Sequence, residues 1–257
     1  MTDLQVFREM AEQILSVPTL KGTSDRYLTD RAFRILRHCA GIVQLTEVQR
    51  FQIDQESLQV AALFRDAGFA RFVRQQEKTV RLVLADVTDE DLRDFSAQVV
   101  QEKLAGLLEP AEMERICHII INSGRRDTTL IEAMILADAR NLDDMGAVGI
   151  FNEMRRYVIH GRGATEALTG WNRKIEYDYW AARLRESFRF ESVRKIAEQR
   201  LRAAQTFMEQ LERENRAADL EQLILQQKKT VLTRPASPVD LPAASSRTLL
   251  KTVTTSK

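Results

Sequence analysis

Apolar residues recur three and four positions apart along almost the whole chain, and alternating Val/Ile/Thr/Tyr runs bounded by turn pairs are almost absent. That spacing restricts the chain to helix packed on helix. Phe33, Leu36, Ala40 and Val43 share one helical face, and Leu58, Ala61, Ala62 and Leu63 share another. Val99, Leu104, Leu107 and Leu108 mark a further helix. Pro110, followed by Ala-Glu-Met-Glu-Arg115, reads as a helix start with acids in its first turn. Leu130 to Leu136 is apolar on both sides and belongs in the interior. With 10 Gly and 5 Pro in 257 residues there are few places to break helices. The expectation is an all-α chain of roughly eight helices of ordinary length.

Val193, Ile196, Ala197, Leu201, Ala204, Phe207, Met208 and Leu211 continue the spacing inside one long C-terminal helix, and Leu220, Leu223 and Ile224 resume it after a polar gap. Such a stripe either packs on its own domain or forms a homodimer; it has too few clean heptads for a coiled coil. Beyond Gln227 the composition turns to Thr, Ser, Ala and Pro, and six basic residues (Lys228, Lys229, Arg234, Arg247, Lys251, Lys257) face one acid, Asp240. This segment has little to bury against its ordering entropy. The expected organisation is an N-terminal helix and lead-in over 1–24, a helical domain over 25–226 that includes the long helix, and a disordered basic tail over 227–257.

Composition narrows the function classes. The formal net charge is +1, which argues against a dedicated nucleic-acid binder. No apolar run approaches a membrane span, the N-terminus is too charged for a secretory signal, and two Cys (Cys39, Cys117) suit a reducing cytoplasm. Three His exclude any site built from four imidazoles. There is no Gly-rich phosphate loop, G-x-S-x-G elbow or H-E-x-x-H helix. Cys39 beside His38 is no nucleophile–base pair, because adjacent helical residues diverge. The acidic stretch Asp86 to Leu92 reads as a helix cap with a solvated first turn.

Two segments remain. In Ala61-Ala-Leu-Phe-Arg-Asp-Ala-Gly68, Arg65 and Asp66 directly follow an apolar run, and in Asp138-Ala-Arg-Asn-Leu-Asp-Asp-Met-Gly-Ala-Val-Gly149, Asp138 does the same. Polar groups ending buried helices must be paired, bound to metal or set at a cleft. With His38 upstream, these segments resemble the HD-domain metal-dependent phosphohydrolases, in their small bacterial nucleotide-hydrolase-like branch, over residues 25–215. The family's "H…AALLHDIG" stands here as His38…Ala61 to Gly68, and its "DADRLDAIGAIG" as Asp138 to Gly149. The resemblance implies an HD-like helical bundle, a single divalent cation (Mg or Mn) held by His38, Asp66 and Asp138, and hydrolysis of a phosphate ester with Asp66 at the reacting centre.

The chain departs from that pattern at several positions. Arg65 stands in place of the His of the His-Asp pair, Arg140 in place of the second Asp of "DAD", Asn122 in place of a further His, and Trp180 in place of a Lys. His118, one turn before Asn122, sits among isoleucines and reads as a packed residue; His160 reads as a surface cap. A guanidinium donates hydrogen bonds only, stays protonated and cannot ligate a cation. Set near Asp66 and Asp138, it supplies the positive charge that a metal supplies in an enzyme. The expected function is therefore a pseudoenzyme of HD type that binds a phosphate-containing small molecule or nucleotide through Arg65 and Arg140, or a partner. Two alternatives stand beside it: an active metal-dependent phosphohydrolase using the three surviving ligands, and a helical assembly protein.

Overall fold

A computed structural model describes residues 3–18, 23–75 and 88–233. The described residues are helical almost throughout: α1 (Leu4–Leu15), α2 (Tyr27–Val43), α3 (Thr46–Gln49), α4 (Gln55–Phe64), α5 (Ala67–Gln75), α6 (Asp89–Lys103), α7 (Pro110–Asn122), α8 (Ile131–Asp143), α9 (Gly146–Ile159), α10 (Ala164–Glu176), α11 (Tyr179–Ser187), α12 (Glu191–Asn215) and α13 (Ala218–Thr233). The only β structure among them is a two-residue antiparallel pair, β1 (Val17–Pro18) with β2 (Ser24–Asp25), and one isolated bridge between Ala105 and Leu108. The all-α expectation holds.

The central element is α4. Its Leu58, Val60, Ala61, Ala62, Leu63 and Phe64 are all buried, so it is apolar nearly all round. It packs against α1, α2, α7 and α8. Each large side chain removed from water there is worth about 1.5–3 kcal/mol. Asp54 starts the helix by accepting from the Ser57 N–H at 3.0 Å. Because α4 ends in the core, the residues that follow it, Arg65 and Asp66, begin inside the protein. A second apolar cluster joins Ile150 of α9, Leu168 and Trp171 of α10, and Leu201, Ala204 and Met208 of α12.

Pro110 opens α7 at its first turn as the sequence implies, and Glu112 accepts from the Glu109 N–H at 3.1 Å. Ala133, Ile135 and Leu136 of α8 are fully buried, as expected of an interior segment. Other expectations need correction. α6 stops at Lys103; Leu104 caps it, and Leu107 and Leu108 lie beyond it, past Gly106 at φ +80°. The long helix is not continuous. α12 ends at Asn215, and Leu220, Leu223 and Ile224 belong to α13, in a second unit that begins at Arg216. Within α12, Val193, Ala197, Leu201, Ala204 and Met208 form the buried stripe, while Ile196 and Phe207 face outward. α13 carries helix on to Thr233, inside the stretch read as tail; residues 234–257 lie outside the described residues. α1 belongs to the main core through Phe7, Ala11 and Leu15.

Candidate functional site: an arginine–aspartate cluster

Five elements deliver charge to one region. Arg31 and Arg34 lie one turn apart on α2. Arg65 caps the C-terminus of α4, where the helix dipole favours a cation, and Asp66 follows it. Asp89 is the first residue of α6, and Arg93 sits one turn on. Arg140, Asp143 and Asp144 share a face at the end of α8, and Arg183 comes from α11.

The fit of α5 against α6 fixes the register between Arg65 and Asp89. A Cβ on Gly68 would fall 2.3 Å from the Leu92 carbonyl and 2.6 Å from the Ser96 nitrogen, so only glycine permits this approach. The Ser96 hydroxyl lies 2.7 Å from the Arg65 carbonyl oxygen and accepts from the Gly68 N–H at 2.8 Å.

Asp66, buried, lies 3.4 Å from Arg31 Nε and 3.4 Å from Arg65 Nη1. Asp89 Oδ1 accepts from Arg65 Nη2 at 2.9 Å and lies 2.9 Å from Arg140 Nη2, while its Oδ2 accepts from Arg93. Asp143 is paired with Arg34 at 2.7 Å and Arg31 at 3.6 Å; Asp144 is paired with Arg31 at 3.0 Å and Arg183 at 2.9 Å. Six guanidinium groups thus meet four carboxylates. Burial alone would raise the Asp66 carboxyl, but Arg31, Arg65 and Arg140 outweigh it and hold the group below the ordinary range. Burial is likewise overridden at Asp89, where Arg140, Arg65 and Arg93 bring the carboxyl down to about 2. Burial, then Arg140, pushes Arg65 down to about 10, which leaves it protonated at neutral pH.

The three residues expected to share a cation have different partners. His38 stands two turns beyond Arg31 on α2, with Nδ1 3.3 Å from the Ala139 carbonyl and Nε2 3.3 Å from Arg200 Nη2. Burial and then the Arg200 charge lower its pKa. Asp138 is fully buried, and its carboxylate accepts from the Arg189 and Phe190 N–H groups at 3.0 Å. It holds the start of α12 together with Glu47, which accepts from the Glu191 and Ser192 N–H groups. Burial pushes Asp138 up to about 6 against those N–H donors. Residues 138 and 140 are roughly 200° apart around a helix, so they face different neighbours. Of the expected residues, only Arg65, Asp66 and Arg140 meet in the charged cluster.

These side chains do not fit a metal ion. The carboxylates are engaged by guanidinium groups, and among the described residues no group of three or more His, Cys, Asp or Glu is placed to hold one. Sequence reasoning misses Arg31 and Asp89 as site residues. The α2 face at 31 and 34 is a readable signal; the reach of Asp89 to Arg65 and Arg140 is not. The cap expected near Asp89 is present as Thr88, which shares a capping box with Asp91, but Asp89 turns inward to three arginines. Asp86 and Val87 lie outside the described residues. His118 is exposed, not packed, although Ile116, Ile119 and Ile120 around it are buried. Asn122 donates to the His118 carbonyl at 2.8 Å, and His160 forms the C-cap of α9. Trp180 packs on Trp171 at 5.1 Å, with Lys174 5.2 Å from its ring.

Beside the cluster lies a cleft of about 180 Å³, lined by Arg65, Asp89, Arg126, Arg140, Glu186 and Arg189 with Ser123, Gly124 and Asn141. Arg126 pairs with Glu186 at 2.6 Å on its rim. The lining carries more cationic than anionic side chains, and guanidinium groups present paired donors that match carboxylate and phosphate oxygens.

The fold is similar to that of Bacillus subtilis YpgQ. The crystal structure of that protein in complex with ADP superposes with a TM-score of 0.54 at 20% identity, covering 82% of this chain and 97% of YpgQ. Two further YpgQ crystal structures, one with selenomethionine, give TM-scores of 0.53 and 0.52 at the same identity. At this identity the likeness concerns the fold alone. No protein-family model matches the chain, and no curated protein matches it in sequence.

Proposed function

We propose that this protein is a non-hydrolysing relative of the HD-domain phosphohydrolases that binds a phosphate-containing small molecule in the arginine-lined cleft. One observation carries the reading: Arg31 and Arg65 meet on the buried Asp66, and Arg65 and Arg140 meet on the half-exposed Asp89, putting fixed positive charge where a dissociable cation would otherwise balance the acids. Two features support the ligand class. The cleft lining is cationic, and the similarly folded YpgQ was crystallised with ADP. Hydrolysis in the HD family relies on metal-bound hydroxide and on the metal's charge at the phosphoryl oxygens. A guanidinium supplies charge and donors but no nucleophile. Binding then persists without turnover.

Calorimetric titration with ADP, run beside a phosphate-release assay, tests this reading. The expected result is a binding isotherm unchanged by a chelator and weakened about tenfold by Arg140→Ala, with no phosphate released. Divalent-dependent release of phosphate, abolished by Asp66→Asn, would establish an enzyme instead.

A further inference from the structure

The geometry points to Asp89 as an internal occupant of a three-arginine oxyanion site, holding the position that a phosphate group of the ligand takes when it binds. This rests on the phosphate-binding reading above and adds to it the atoms that bind the phosphate and the group that competes for them.

Asp89 is contacted by three guanidinium groups, those of Arg65, Arg93 and Arg140. A carboxylate cannot satisfy them. Each of the three arginines leaves its Nε–H buried with no acceptor in the protein. Arg65 and Arg93 are themselves almost wholly buried, at 2% and 10% side-chain exposure, so these are donors held away from bulk water. A buried donor without an acceptor costs about 1–3 kcal/mol, and each of the three side chains that meet Asp89 carries one. A phosphate monoester brings close to two negative charges near neutral pH and three acceptor oxygens. It suits both the unmet donors and, with Arg65 also paired to Asp66, the surplus of three cations over two anions.

The arrangement also allows exchange. Asp89 has 43% side-chain exposure, so the anion is the member of the group nearest water and the cations are the fixed part. It sits at the first position of α6, where Thr88 and Asp91 cap the helix without it. Its departure would leave the cap intact. Arg65, Asp89 and Arg140 all line the cleft, so an entering anion reaches the arginines from the same side as Asp89. Gly124 lines the cleft too, and a Cβ there would fall 2.0 Å from Arg93 Nη1, so the glycine makes room for that guanidinium at the cleft wall.

Inorganic phosphate is the probe. Removing the competing charge with Asp89→Asn is expected to tighten phosphate binding about tenfold, and adding Arg140→Ala to that variant to abolish the gain. In the unaltered protein, phosphate is expected to shift the Nε–H resonances of Arg65, Arg93 and Arg140, a readout that does not depend on the variant folding. If the unaltered protein binds phosphate and Asp89→Asn binds it equally or more weakly, the internal-occupant inference is overturned while the phosphate-binding reading stands. The inference is overturned in the same way if phosphate binds and leaves the three resonances unmoved. If neither protein binds phosphate, both fall.

Discussion

Arg65 shows how one side chain settles the chemistry of this region. It is among the largest fully buried side chains, and it bridges Asp66 and Asp89 with separate nitrogens. Taking it away leaves Asp66 and Asp89 each short of one cation. Arg65→Met is expected to cost about 3–5 kcal/mol in urea unfolding, the range for breaking a buried ion pair from one side. A loss under about 1 kcal/mol would mean the guanidinium is not a structural cation. The acid side of the stability curve follows from the same contacts. Asp66, Asp89 and Asp144 are held below their ordinary range when folded, so the folded state binds fewer protons than the unfolded chain. Their contribution is present above about pH 4 and is lost as pH falls towards 2, and an unfolding midpoint that stayed level across that window would contradict the assignment. Arg65, Asp66 and Arg140 are legible in the sequence because charged residues at the ends of apolar runs demand partners. Asp138 meets the same criterion and finds its partners in backbone N–H groups, which leave no mark on a side-chain pattern.

At the scale of elements, helix ends do most of the positioning. The N-terminus of α12 is held by Asp138 and Glu47 from two different helices, which fixes α12 against α8 and α3. Asp138→Ala is expected to cost about 2 kcal/mol and to speed hydrogen exchange at the Arg189 and Phe190 amides. Unchanged exchange there would argue against the capping role. Gly68 sets the distance between α5 and α6, so Gly68→Ala should cost about 1–3 kcal/mol and displace Asp89 from Arg65. Periodicity reveals most helices because their buried faces repeat at 3.6 residues. It fails where the break is in the backbone rather than in the pattern. Ala217 adopts a positive φ of 53° between α12 and α13, and an alanine carries no sequence signal for that conformation. Leu107 and Leu108 mislead for the opposite reason: their spacing continues a helix that Leu104 has already capped.

For the whole molecule, residues 1–215 contain both apolar clusters and the charged cluster, so this part is expected to keep its unfolding midpoint when 216–257 are removed. A large drop would show that the C-terminal unit contributes to the core. The bundle resembles that of YpgQ in fold, and its clustered aspartates are paired with arginines. The most direct measurement is Mn²⁺ binding to the full chain followed by electron paramagnetic resonance, with Asp66→Asn alongside. Fixed-cation neutralisation predicts that the free Mn²⁺ signal is retained in full and is the same for both proteins. One equivalent of Mn²⁺ bound by the unaltered chain and released by Asp66→Asn would show that a metal, rather than arginine, balances the site.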